Sequence, residues 1–193
     1  MKLFDCLTNE EKKLGRILAY SKGEILFHEN DKCEYVGILL KGIVQISSYS
    51  LTGQEIVYNT IKTGEMFGNN LLFSENPFYR GNVIGEEDGK VILFNKRNLL
   101  SILKNNETFL INYLTINADF SKSLNASIKL LTLSSAEERL EFFLQNNSPY
   151  RYESVSSFAK KLYLTRETLS RLIYKMVKEG KIRKKGNILY LLK

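Results

Sequence analysis

At 193 residues and 44% hydrophobic content the chain can build one large core or two smaller ones. No apolar run reaches the ~18–20 residues needed to span a bilayer. The first residues lack the apolar segment and cleavage site of a secretory signal, so a cytoplasmic protein is expected. Charge is unevenly placed: from Arg151 onward twelve Lys or Arg face three Glu, a net +9 against +7 for the whole chain, which leaves about −2 on residues 1–150.

In chain order, residues 7–18 have a helical look, with Thr8 as a cap and Glu10 and Glu11 in the first turn. From Gly23 to about Asn95 the pattern changes to short strands separated by glycine-containing turns. Strands are predicted over 24–27, 35–41, 43–49, 55–61, 82–86 and 90–94, a spacing that suggests a sandwich or rolled barrel. Between them, the stretch from Gly64 to Gly81 contains a short helix predicted to start after Gly68. Its free backbone N–H groups would suit an anion, with Arg80 as countercharge. An Arg in a loop is, however, more often simply solvated.

The two cysteines, Cys6 and Cys33, are too few for a zinc pattern or a disulfide framework. They read as reduced, structural thiols, with a redox role for the pair as the alternative. His28 is the only histidine, so one chain cannot supply a histidine-rich metal site. No nucleophile stands beside a base, and an enzyme is not expected.

From residue 105 to about 131 the periodicity is helical. Phe109, Tyr113, Ile116, Phe120, Leu124, Ile128 and Leu131 recur at three- and four-residue steps without proline or glycine. A long helix with so narrow a seam is a candidate for a two-stranded coiled coil; the alternative is that the seam packs on its own β-domain. Ser134 and Ser135 cap a further helix over 136–144, and residues 131–135 offer a hinge.

Residues 154–178 then read as two short helices joined by a tight turn. Ser154 caps the first, with Val155, Phe158, Ala159 and Leu162 inward. Thr165 caps the second, with Leu169, Leu172, Ile173, Met176 and Val177 on one side and Arg166, Glu167, Ser170 and Arg171 toward the other. Arg can grip guanine O6 and N7, and Glu can accept from cytosine N4. Glu167 and Arg171 are also four apart, so a surface ion pair explains them equally well on their own. A hairpin over 182–184 and 188–191 follows, and its basic residues would sit on phosphate.

A glycine-punctuated β-roll, a long helix and a winged helix-turn-helix in this order resemble the CRP/FNR family of bacterial transcription regulators. The strongest likeness runs from Thr165 through Arg166-Glu167-Thr168-Leu169-Ser170-Arg171 and on through Lys175-Met176-Val177-Lys178-Glu179-Gly180-Lys181-Ile182. The resemblance implies an α+β chain in three parts: residues 1–104, a jelly-roll-like, cyclic-nucleotide-binding-like effector domain (a double-stranded β-helix); 105–133, a dimerisation helix; and 134–193, the winged helix-turn-helix. It implies a homodimer on a palindromic operator with TGA-containing half-sites, double-stranded DNA and RNA polymerase as partners, and no membrane. Arg166, Glu167, Ser170 and Arg171 carry over to base contacts, and Thr165, Lys175, Lys178, Arg183, Lys184 and Lys185 to phosphate. Tyr163 stands where the family's turn usually has glycine.

The resemblance also places an effector pocket at Phe67, Gly68, Asn69, Asn70, Arg80 and Gly81. Members that bind cyclic AMP have Gly-Glu and Arg-Ser or Arg-Thr where this chain has Gly68-Asn69 and Arg80-Gly81. Arg80 is kept, but the carboxylate and its charge-assisted bond are lost. Weak or no cyclic AMP binding is therefore expected; what remains is a different small ligand, thiol chemistry, or control by expression with the DNA-competent form favoured without ligand. Two cysteines and one histidine likewise argue against an iron–sulfur cluster or haem. The alternative reading is a ligand-binding roll whose basic tail takes nucleic acid without sequence preference.

Overall fold

The strand that organises the N-terminal half, β3 (Tyr35–Lys41), is apolar on both faces and central in its sheet, with Val36, Ile38 and Leu39 no more than 1% exposed. The computed structural model describes residues 3–192. Within them the chain is mixed α+β and divides after Asp119 into two compact units.

In the N-terminal unit two four-stranded sheets share one core. The first runs β1 (Arg16–Tyr20), β8 (Gly89–Asn95), β3, β6 (Met66–Phe67). The second runs β2 (Ile25–Phe27), β7 (Asn82–Gly85), β4 (Ile43–Tyr49), β5 (Glu55–Lys62). All pairings are antiparallel, in the jelly-roll-like arrangement expected. Val36, Ile38, Val91 and Phe94 from the first sheet and Val44, Ile61 and Val83 from the second belong to one buried apolar cluster.

The helix predicted over 7–18 is much shorter. A 3-10 turn at Leu3–Cys6 precedes α1 (Asn9–Lys13), which Thr8 and Glu11 close with a capping box. The chain then passes Gly15, where a Cβ would lie 2.5 Å from the Ile92 side chain, so the backbone is pressed onto the sheet and residues 16–20 join it as β1. The helix predicted after Gly68 is a run of turns instead: Leu71 and Leu72 both donate their N–H groups to the Gly68 carbonyl.

Two helices follow β8. α2 (Lys96–Asn105), capped by the Asn95 side chain on the Asn98 N–H, buries Leu99 and Ile102. Asn106 ends it, and its side chain accepts from the Phe109 N–H at the start of α3 (Glu107–Thr132). The predicted seam of α3 divides. Phe109 and Tyr113, 0% and 6% exposed, are taken up by the core of the N-terminal unit and are not available to a partner. Ile116, Phe120, Leu124, Ile128 and Leu131 remain 36–52% exposed.

The C-terminal unit holds the end of α3, α4 (Ala136–Asn147), β9 (Tyr150–Arg151), α5 (Val155–Lys161), α6 (Arg166–Lys178), β10 (Ile182–Lys185) and β11 (Ile188–Leu191). Its core joins Leu130, Leu140, Leu144, Phe158, Leu162, Leu169, Met176, Ile182 and Leu189. The sheet is three-stranded because β9 pairs with β11, beyond the hairpin read from sequence.

Candidate nucleic-acid interface

Helix α6 begins where Thr165, in an extended conformation, accepts a hydrogen bond from the Thr168 N–H at 3.2 Å. Leu169, Leu172, Ile173 and Met176 are buried at three- and four-residue steps; Val177, predicted to join them, is 40% exposed. On the opposite side Glu167, Ser170, Arg171 and Lys178 are exposed, with Arg166 at the margin. At ~100° per residue, Ser170, Glu167 and Arg171 lie within an arc of about 100°. Tyr174 lies inside the same arc and is 73% exposed, yet the sequence reading passed over it. Glu167 and Arg171 form no ion pair among the described residues, so the ion-pair explanation of this couple is not realised.

The preceding turn orients this face. α5 starts at Ser154, whose hydroxyl accepts from the Ser157 N–H, and ends as Leu162 buries. Tyr163 then adopts φ +55°, the left-handed conformation that glycine adopts freely. Arg139 of α4 holds this turn. Its Nη1 donates to the Tyr163 carbonyl at 3.2 Å, while Nε and Nη2 donate to the carbonyl of Leu133. The segment read as a hinge is thus bonded through Leu133 to α4.

After α6 the hairpin β10–β11 turns through Gly186 at φ +58° and Asn187. Lys184 and Lys185 are exposed, and the Arg183 guanidinium sits 4.8 Å from the centre of the Tyr190 ring. Lys175, predicted to meet phosphate, is engaged within the chain: its Nζ donates to Glu137 of α4 at 2.7 Å and lies 3.7 Å from Glu179. Lys181 also donates to Glu137. These two ammonium groups hold the Glu137 carboxyl down at about 2.

The predicted effector residues are mostly structural. Phe67 is 2% exposed, its ring filling the space left by Gly37, where a Cβ would lie 2.4 Å away. Gly68, at φ +76°, backs onto the Tyr35 carbonyl, and Gly81 onto the Ser47 carbonyl; neither leaves room for a side chain. Asn69 is bonded to α3: its Nδ2 donates to Asn117 Oδ1 at 2.9 Å, and its carbonyl accepts from the Tyr113 hydroxyl at 3.1 Å. Burial pushes that hydroxyl up to about 12. Asn70 and Arg80 are exposed. A cleft of about 540 Å³ lies elsewhere in this unit, lined by Lys32, Cys33, Tyr35, Leu72, Lys96 and Arg97 among others, and by none of the six predicted residues. Burial raises the Cys33 thiol above its ordinary value. Among the described residues no three His, Cys, Asp or Glu side chains gather as a metal site, and no helix is long and apolar enough to cross a membrane.

Residues 17–106 match the family model of the cyclic nucleotide-binding domain. The chain is 22% identical over 172 residues to the cyclic AMP receptor protein of Thermus thermophilus, covering 85% of this chain and 78% of that protein. It is 22% identical over 175 residues to the anaerobic regulatory protein of Bacillus subtilis, covering 86% and 73%. These similarities agree with the CRP/FNR resemblance read from the sequence. The same fold recurs in the structure of a CooA mutant from Carboxydothermus hydrogenoformans, with a TM-score of 0.66 and 22% identity over 95% of this chain and 86% of that one.

Three residues of the candidate interface escaped the sequence reading. Tyr174 had a signal, since it stands four residues after Ser170 and three after Arg171 on the polar side of the helix. Arg139 and Glu137 had none, because their partners are 24 and 38 residues away and only the packed unit brings them together.

Proposed function

We propose that the chain is a sequence-specific DNA-binding transcription regulator. Two copies pair through the exposed side of α3 and set their α6 helices into successive major grooves of a palindromic operator with TGA-containing half-sites. Arg166, Glu167, Ser170 and Arg171 read base edges; Thr165, Lys178, Arg183, Lys184 and Lys185 hold phosphate. The observation that carries this reading is the exposed polar face of α6, on which Glu167 and Arg171 are bound neither to each other nor to another charged side chain in the described residues. Such groups keep their hydrogen-bonding capacity for a partner, and a basic hairpin follows directly. RNA polymerase is the further partner this type implies.

Any effector is a molecule other than cyclic AMP. The family's ribose carboxylate is replaced by Asn69, whose amide and carbonyl are already bonded to Asn117 and Tyr113, and Gly81 offers phosphate no hydroxyl. The test of the DNA reading separates reader from clamp. Arg171→Ala should cost ~1–3 kcal/mol on the preferred duplex and relax preference at one position, whereas Lys184→Ala should weaken all duplexes alike and flatten the salt dependence. Identical behaviour of the two variants contradicts the assignment.

A further inference from the structure

At the far end of α6 from the proposed base-reading residues, four charged side chains form a closed group. Glu137, the second residue of α4, accepts from Lys175 through one carboxylate oxygen and from Lys181 through the other. Glu179, the cap residue of α6, approaches the same two lysines at 3.7 and 3.2 Å. Two ammonium groups and two carboxylates sum to zero charge.

The group joins three elements. Lys175 belongs to the last turn of α6, and Lys181 to the link into β10, where its N–H donates to Met176 and its carbonyl accepts from Leu192. Glu137 is the only member from outside this segment. It ties the end of α6 and the root of the β10–β11 hairpin to the start of α4. The side chains are 24–56% exposed, and ion pairs of that exposure contribute little to stability. Their consequence lies in where the positive charge goes. A lysine already neutralised by carboxylates releases no counterion from DNA, and each lysine that does contact phosphate steepens the salt dependence by about 0.9.

We propose that Glu137 is a positioning residue for DNA recognition: it fixes the pose of α6 against the β10–β11 hairpin and withholds Lys175 and Lys181 from the phosphate backbone. This assignment rests on the DNA-binding reading above. It departs from the sequence expectation for Lys175, and it gives the hairpin cations and Lys178 the clamping role without help from the Glu137 cluster.

The experiment measures affinity of the full chain for a duplex selected from a random pool and for its scrambled counterpart, across a range of KCl, for wild type, E137Q and K175Q. Loss of Lys175 alone should leave the slope of log affinity against log salt unchanged to within about 0.3, because that lysine contacts no phosphate. E137Q leaves the two lysines only Glu179, a net charge of +1, and should steepen the slope by about one. It should also lower the ratio of selected to scrambled affinity by about ten-fold, since α6 is no longer held. A slope flattened by about 0.9 in K175Q overturns the proposal, because Lys175 is then a phosphate contact. So does an E137Q variant with wild-type slope and ratio. If wild type itself fails to discriminate, the DNA reading falls and this inference with it; discrimination by wild type with an unaltered E137Q removes this inference alone. A cooperative melt for each variant verifies that it is folded, and a loss of structure would not steepen the slope in E137Q while leaving it unchanged in K175Q.

Discussion

Tyr163→Gly should stabilise the C-terminal unit, although it deletes an aromatic side chain. Tyr163 holds φ +55°, where a residue with a Cβ pays roughly 1–2 kcal/mol. The ring is 47% exposed, so truncation returns only part of its surface to water. Glycine relieves the backbone cost but gives back about 0.5–1 kcal/mol through the greater freedom of the unfolded chain. The balance is a gain of about 0–1.5 kcal/mol before the covered part of the ring is counted, which for a chain of this size raises Tm by no more than about 6 °C. The carbonyl held by Arg139 belongs to the backbone and survives the change. Differential scanning calorimetry of wild type, Tyr163→Gly and Tyr163→Ala decides it. Alanine keeps the unfavourable φ and loses the ring, so it should melt no higher than wild type. A glycine variant that melts below wild type, or an alanine variant that gains as much as glycine, refutes the argument from backbone strain.

Two further outcomes follow from the same geometry. Leu124 on α3 is 52% exposed in line with Phe120 and Ile128, so Leu124→Asp should leave each chain folded but yield monomers by sedimentation velocity; a dimer that persists locates the interface elsewhere. Glu137 has its carboxyl lowered to about 2 from 4.5, which means that its contribution is complete above pH 4.5 and disappears as pH falls through about 2. Urea midpoints should therefore decline slightly between those values in wild type and not in Glu137→Gln, and a decline in Glu137→Gln as large as in wild type would assign the effect to another carboxylate.

The rolled sheets were legible because alternation and glycine turns fix strand limits locally. β3 and β4 match their sequence reading residue for residue, and so does the Thr165 cap of α6. Where the reading failed, the deciding contact was distant. Gly15 looked compatible with a helix until Ile92 filled the space its Cβ would need. β6 is two residues long and exists only by pairing with Gly37 and Ile38 of β3. Periodicity identified the apolar side of α3 but not its partner, so Phe109 and Tyr113 were assigned to a second chain when their own core claims them. α2 could have been found: Asn95 is a good cap, and Leu99, Ile102 and Leu103 follow at helical spacing. In the candidate site the polar side of α6 was readable from spacing alone. The engagement of Lys175 and of Asn69 was not, because both depend on partners from other elements.

The central claim is that the exposed side of α6 reads base sequence in duplex DNA. Selection of duplexes from a random pool by the purified chain, followed by competition of the winning sequence against its scrambled counterpart at physiological ionic strength, tests it most directly. The account predicts a two-fold symmetric sequence with TGA in each half, bound about 10³-fold or more tightly than the scrambled duplex. Enrichment of no common sequence, or equal affinity for both duplexes, would contradict it.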